Sequence, residues 1–316
     1  MASDAIALDS IRAVFGGGCP GFELACVVSN PDRPKGRGKK LSPNDVSAWA
    51  VENDVELLRP EGPPGDAEVG RMRELGVEMI VVMAYGRILK KNVLEYGDFP
   101  CLNLHASLLP RLRGASPVET AIALGFKSTG VSLMAIEPRM DSGPVCAAAE
   151  VGIEPSDGSV SLRGKIAAAA ARLLSENISS VACGRAKFEP QDESLATYTR
   201  KISREDLLLD FRLSPEEVAN RARAFSFGIA EIGGEAVKLS KASAAARMNA
   251  GAECGEIVAA SRKDGLRIAC RGGDAVFGAI QRPCSKMLSA SEFFAGNYFK
   301  VGEVLKSFES RPLLRP

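Results

Sequence analysis

Net charge, long apolar runs and paired cysteines are all missing from this chain, and each absence closes off a class of protein. Lysines and arginines number 40 against 39 aspartates and glutamates, which with the lone histidine neutral gives a formal charge of +1. No global field therefore draws the chain to polyanions, and a nucleic-acid contact has to come from a local patch. Apolar stretches such as Ile80–Ala84 fall far short of the roughly 20 residues a membrane helix needs. The first residues show no basic-then-apolar leader pattern, so a cytoplasmic protein with no membrane partner is expected. The eight cysteines never stand as a CxxC pair, and several sit inside apolar runs; they read as reduced core residues, with no metal or disulfide role. There is no internal repeat, and low complexity is confined to the alanines at 167–171.

The remainder is the composition of a folded protein: 46% hydrophobic and 25% charged over 316 residues, which excludes disorder, collagen and coiled coil. At roughly 150 residues per domain, two domains are expected. Up to about Ala182, strand-like runs (Leu24–Ser29, Val77–Ala84, Cys101–Leu104, Thr129–Glu137) alternate with helix-like spacing at Ala5–Val14, Pro43–Asn53, Gly65–Leu75, Pro117–Leu124 and Ser159–Val181. That alternation predicts an α/β layer with a mostly parallel, doubly wound sheet. Ser42-Pro43 reads as the start of the second helix, a capping side chain before a first-turn proline. Phe188–Arg204 is polar and without period. Beyond it, a helix opening at Ser214-Pro215-Glu216-Glu217 is followed by strand candidates at Ala236–Leu239, Gly255–Ala260, Leu266–Cys270 and Ala275–Ile280, a small β-rich domain of barrel type. The expected division is a catalytic domain over 1–184, a linker over 185–205 and a β-barrel domain over 206–316.

The only histidine, His105, sits at the end of a predicted strand, where open α/β sheets place their ligands. Asn103 lies two residues earlier, so both side chains point the same way. An amide and an imidazole can thus converge on one small group. Ser107-Leu108-Leu109-Pro110 then makes an apolar turn able to wall a flat ligand, and the run Thr129–Glu137 delivers Asp141 to the following loop. By spacing alone, a structural histidine is the better reading.

Resemblance adds what spacing cannot. Asn103-Leu104-His105-Ala106-Ser107-Leu108-Leu109-Pro110-Arg111 resembles the signature of folate-dependent formyltransferases, and Asp141-Ser142-Gly143 stands where that family carries Asp-x-Gly. The resemblance implies that Asn103, His105 and Asp141 form a site moving a formyl group from 10-formyltetrahydrofolate to an amine, with Ser107, Leu108, Leu109 and Pro110 lining the folate pocket. Asn30–Leu41 resembles the basic loop that the methionyl-tRNA branch of the family uses to grip the acceptor end of tRNA. In it Arg33, Lys35, Arg37, Lys39 and Lys40 can meet phosphates, with glycines between them keeping the backbone adaptable. The C-terminal segments Leu195–Tyr198, Lys201–Ser203, Asp210-Phe211, Arg223–Phe225 and Ser289–Phe294 resemble that branch's second domain, an open barrel of the oligonucleotide-binding kind.

The expectation is therefore a monomeric formyltransferase acting on charged initiator methionyl-tRNA in translation initiation, with folate as donor and no metal. The alternatives are a sugar-nucleotide or other amine formyltransferase, or an inactive tRNA- or RNA-binding relic. One departure stands out: the family opens with an apolar strand, whereas here only Met1-Ala2-Ser3 precedes the first helix. The sheet is expected to lack its first strand, and the start to lie downstream of the natural one. A second departure is Phe225-Ser226-Phe227-Gly228, where the family carries a proline-rich turn.

Overall fold

The computed structural model describes residues 1–35, 38 and 40–315, with the backbone alone at Lys35. Contacts divide it into two compact units. The first comprises Met1–Ala115, Ser128–Gly152 and Arg163–Tyr198. Its sheet runs Leu57–Leu58, Val27–Val28, the Met1–Ser3 segment, Val81–Val82, Leu102–His105, Ser128–Ala135 and Val145–Gly152.

This sheet is mixed, parallel from Leu57–Leu58 to Leu102–His105 as expected and antiparallel only at the far edge. The Val27–Val28/Leu57–Leu58, Ala2/Met83 and Val81–Val82/Leu102–Asn103 pairings are parallel, but Leu102–His105 with Ser128–Ala135, and Ser128–Ala135 with Val145–Gly152, are antiparallel. The loop at 136–144 is too short for the crossover of a dozen or more residues that a parallel return requires, so the chain folds back as a hairpin.

Among the described residues no regular strand precedes Val27–Val28, as expected, but the gap is bridged in part. Met1–Ser3 lies between Val27–Val28 and Val81–Met83: the Ala2 N–H donates to Val28 O at 3.0 Å, the Met83 N–H to Met1 O at 3.1 Å, and the Ser3 N–H to Ala84 O at 3.3 Å. The Met1 ammonium donates to Val81 O at 2.6 Å, and its burial pulls its pKa below the ordinary range. Three residues close the sheet at its carboxyl edge only. Beneath them lies a cavity of about 810 Å³ lined by Met1, Ile11, Leu24, Ile80, Leu174 and Ile178 among others. The neighbouring strands are accordingly shorter than their apolar runs: the Leu24–Ser29 run yields a strand only at Val27–Val28, and Val77–Ala84 only at Val81–Val82.

Helices Leu8–Phe15, Asp45–Glu52, Asp66–Glu74 and Ser159–Ala182 form where the periodicity placed them. In the last, Ile166, Ala170, Leu173, Leu174 and Ile178 are buried, the spacing of one helix face. The Asp45–Glu52 helix is capped by Asn44, whose side chain accepts from Ser47 N at 2.9 Å, and not by Ser42. Among the described residues no helix is long and apolar enough to cross a membrane.

The second unit, Ser116–Lys127, Ile153–Leu162 and Thr199–Pro316, is built on an antiparallel sheet in the order Gly228–Ile232, Glu235–Ala245, Gly273–Gln281, Gly265–Cys270, Ile257–Ser261. Phe211, Val237, Ile268 and Phe277 are buried in its core with the inner face of the Pro215–Ala224 helix. Ser214 and Glu217 form that helix's capping box. Asp206 is fully buried as a side chain. Burial alone would raise its pKa, but the Arg200 guanidinium at 2.5 Å and the Ser203 N–H hold the carboxyl well below the usual carboxylate range.

Candidate active site

The Leu102–His105 strand pairs with Ser128–Ala135 so that His105 faces Ser132 and Asn103 faces Met134 across the ladder. Ser132 fixes the turn that follows. Its hydroxyl donates to Ser107 O at 2.8 Å and accepts from Leu109 N at 3.1 Å, while the buried Ser107 hydroxyl donates to Arg111 O at 2.6 Å. Leu108 lies against Gly130, where an added Cβ would stand 2.5 Å from Leu108 Cδ2 and 2.2 Å from Ala149 O. Glycine at 130 is thus a steric requirement of the Ser107–Pro110 wall.

His105 is 6% exposed. Its Nε2 lies 3.0 Å from Leu112 O; a carbonyl only accepts, so Nε2 carries a proton. Leu112 adopts φ 58°, and its N–H donates to Thr197 Oγ1 at 2.8 Å. The other ring nitrogen, Nδ1, stands 3.7 Å from Asp141 Oδ2, beyond a hydrogen bond but close enough for the carboxylate to attract an imidazolium. Asp141 is held in its own right: Oδ2 accepts the Gly114 N–H at 2.7 Å, and its backbone adopts φ 50°. The following Gly143 is required by contact, since a Cβ there would stand 1.9 Å from Ala135 O. Asn103 is half-buried, and its amide makes no hydrogen bond among the described residues.

The structure thus brings His105, Asp141 and the Ser107–Pro110 turn together, with Asn103 on the same strand. The basic segment forms a hairpin of Arg33–Lys35 paired with Lys40–Ser42. Arg33 and Lys40 are exposed; Arg37 and Lys39 lie outside the described residues, as does the Lys35 side chain. The hairpin's base is anchored by Asn30, whose Nδ2 donates to Ser3 Oγ and Tyr85 O, both at 2.8 Å, while Arg87 donates to its Oδ1. No group of three or more metal-ligating side chains occurs among the described residues.

The sequence pattern described as formyl transferase matches residues 16–178, and its C-terminal domain pattern matches 201–298. The chain belongs to the formyl transferase family. Among curated relatives, a methionyl-tRNA formyltransferase of Methylococcus capsulatus is 37% identical over 289 residues, covering 91% of this chain and 92% of that protein. One of Bacillus subtilis is 35% identical over 291 residues, 90% of each. Among solved structures, an N-formyltransferase of Helicobacter canadensis in complex with folinic acid and dTDP-3-aminofucose superposes with TM-score 0.63 at 17% identity, over 89% of this chain and 97% of that one. The sugar 3N-formyl transferase WlaRD gives 0.61 at 19%, over 90% and 97%. These two likenesses carry the fold.

Sequence reading missed four residues that hold the candidate site together. Ser132, Gly130 and Leu112 show their role only through the ladder and the turn; Gln191, in the aperiodic stretch before Tyr198, donates from Nε2 to Asp141 O at 2.9 Å and Gly143 O at 2.7 Å. The Gly130 signal was present, a glycine inside an otherwise apolar strand run, which marks a bulge or a close approach.

Proposed function

We propose that this chain transfers the formyl group of 10-formyltetrahydrofolate to the amino group of methionyl-tRNA, acting as a monomer on charged initiator tRNA in the cytoplasm. The observation that carries this reading is the strand-end cluster of His105, Asp141 and an unengaged Asn103 amide, in a chain that matches curated methionyl-tRNA formyltransferases over nine-tenths of its length.

Bound folate supplies the formyl carbon. Attack by the amine leaves negative charge on the formyl oxygen, and the Asn103 amide, free of other partners, donates to it; such a donor contributes roughly 10²–10³ in rate. The attacking amine must lose a proton and the departing folate nitrogen must gain one. Leu112 O occupies Nε2 of His105, so the exchangeable proton sits at Nδ1 or on the Asp141 carboxylate facing it. Asp141 acts as base toward the amine, and the same proton returns to the departing nitrogen as the old C–N bond breaks. Ser107–Pro110 wall the folate.

Arg33, Lys35, Arg37, Lys39 and Lys40 of the Asn30–Leu41 segment contact tRNA phosphates. The segment 1–184 carries catalysis, 185–205 links, and 206–316 binds tRNA as an open barrel of the oligonucleotide-binding kind.

The test compares two acceptors with 10-formyltetrahydrofolate as donor: methionyl-tRNA and a dTDP-amino sugar. Formylation of the tRNA alone is expected. Turnover of the amino sugar with none of the tRNA would replace this reading with a sugar-nucleotide formyltransferase.

A further inference from the structure

We infer that Gln191 is a positioning residue for Asp141, resting on the reading above. Its primary amide has two N–H donors and two acceptor lone pairs, and all four are used. The donors go to Asp141 O at 2.9 Å and Gly143 O at 2.7 Å; Oε1 accepts from Arg113 Nε at 3.1 Å and Nη2 at 2.8 Å. Turning the amide over would set its NH2 against a guanidinium and its oxygen against two carbonyls, so its orientation is fixed.

The anchor behind it is firm. Arg113 is fully buried and pairs with Glu193 at 2.8 Å and Tyr198 Oη at 2.8 Å. Burial alone would lower its pKa, but its bonds to Glu193 and Tyr198 more than offset this and keep the guanidinium charged. In turn Arg113 holds the Glu193 carboxyl below the usual carboxylate range. Arg113 and Gln191 therefore act as a bracket.

What the bracket holds is the backbone that follows the Asp141 side chain, at the carbonyls of Asp141 and Gly143, in a loop where Asp141 itself takes a left-handed φ of 50°. A non-glycine residue there persists only when its surroundings fix it. The carboxylate must meet the Gly114 N–H at 2.7 Å and stay 3.7 Å from His105 Nδ1. Releasing Gln191 lets the loop relax and carries the carboxylate off both.

The test uses Gln191→Glu, which keeps shape and the Arg113 contact but removes both donors, and Gln191→Met, which keeps only shape. Gln191 is half-buried, so both variants are expected to fold. His105 is the only histidine, so its ring resonances can be followed by NMR without ambiguity and without substrate. Both variants should move the His105 ring chemical shifts at fixed pH, because the Asp141 carboxylate no longer stands in its place beside Nδ1. In the formylation assay kcat should fall on the order of 10–10²-fold, with KM for folate and tRNA within about twofold. His105 ring shifts and a kcat matching wild type would overturn the inference. So would a kcat loss that only tracks the folded fraction, with the ring shifts unmoved. Wild-type protein that formylates no tRNA would refute the proposed function instead, and the NMR arm would still decide the role of Gln191.

Discussion

At the end of the Leu102–His105 strand, polar atoms are fixed by the backbone around them: His105 by Leu112 O, Ser132 by Ser107 O and Leu109 N, Asp141 by Gly114 N–H. In the Arg33–Ser42 hairpin the cations Arg33 and Lys40 stand in solvent, and among the described residues its base is tied down through Asn30. The two regions suit different work. A group that moves a proton or stabilises charge has to be held to a fraction of an ångström, whereas a cation meeting phosphate acts through a screened field that tolerates displacement. Damage to the first should therefore appear in kcat, and damage to the second in KM and salt dependence.

The largest effect is expected at the fixed cluster. His105→Ala and Asn103→Ala should each leave the protein folded and lower kcat by about 10²–10³-fold. Saturated turnover close to wild type in either variant would remove that residue from the chemistry.

A smaller effect is expected at the hairpin. Arg37→Ala, Lys39→Ala and Lys40→Ala together should raise KM for tRNA and flatten log KM against log salt by roughly 0.7–0.9 for each phosphate no longer neutralised. Folate KM should hold. An unchanged salt slope would assign the hairpin to solvent and collapse the contrast between the two regions.

How much of this was legible beforehand follows from where each signal resides. The two-residue spacing of Asn103 and His105 on a strand, and Asp141 just past the next one, are local patterns, and the structure puts His105 and Asp141 side by side. The strand Val145–Gly152 was not legible: Val145-Cys146-Ala147-Ala148-Ala149-Glu150 has neither β-branched enrichment nor alternation, and it is a strand because Ser128–Ala135 pairs with it. Gln191 was invisible for the same kind of reason, since its partners Asp141 and Arg113 are far away in sequence and nothing in Pro190-Gln191-Asp192 marks them. The helix cap fell on Asn44 because Ser42 is held in the strand paired with Arg33, while Asn44 reaches Ser47 N.

The smallest effect lies away from both regions, in the cavity beneath Met1–Ser3. Ser10 lines it, and the buried Ser10 hydroxyl has no hydrogen-bond partner. Ser10→Ala removes that group and improves helix propensity, for a gain of about 1 kcal/mol. The thermal midpoint should rise by about 2–4 °C, with kcat and both KM values unmoved. A lower midpoint would show that the hydroxyl is satisfied within the cavity.

The claim that chemistry resides in the fixed cluster is tested most directly at Asp141. Asp141→Asn keeps shape and can still accept the Gly114 N–H through its amide oxygen, but it cannot take a proton from the amine. Folate affinity measured by equilibrium binding and the single-turnover formylation rate at saturating folate and methionyl-tRNA together give the answer. The account predicts folate affinity near wild type and a formylation rate lower by on the order of 10² or more. Folate affinity abolished while the saturated rate is retained would contradict it, and would make Asp141 a binding group.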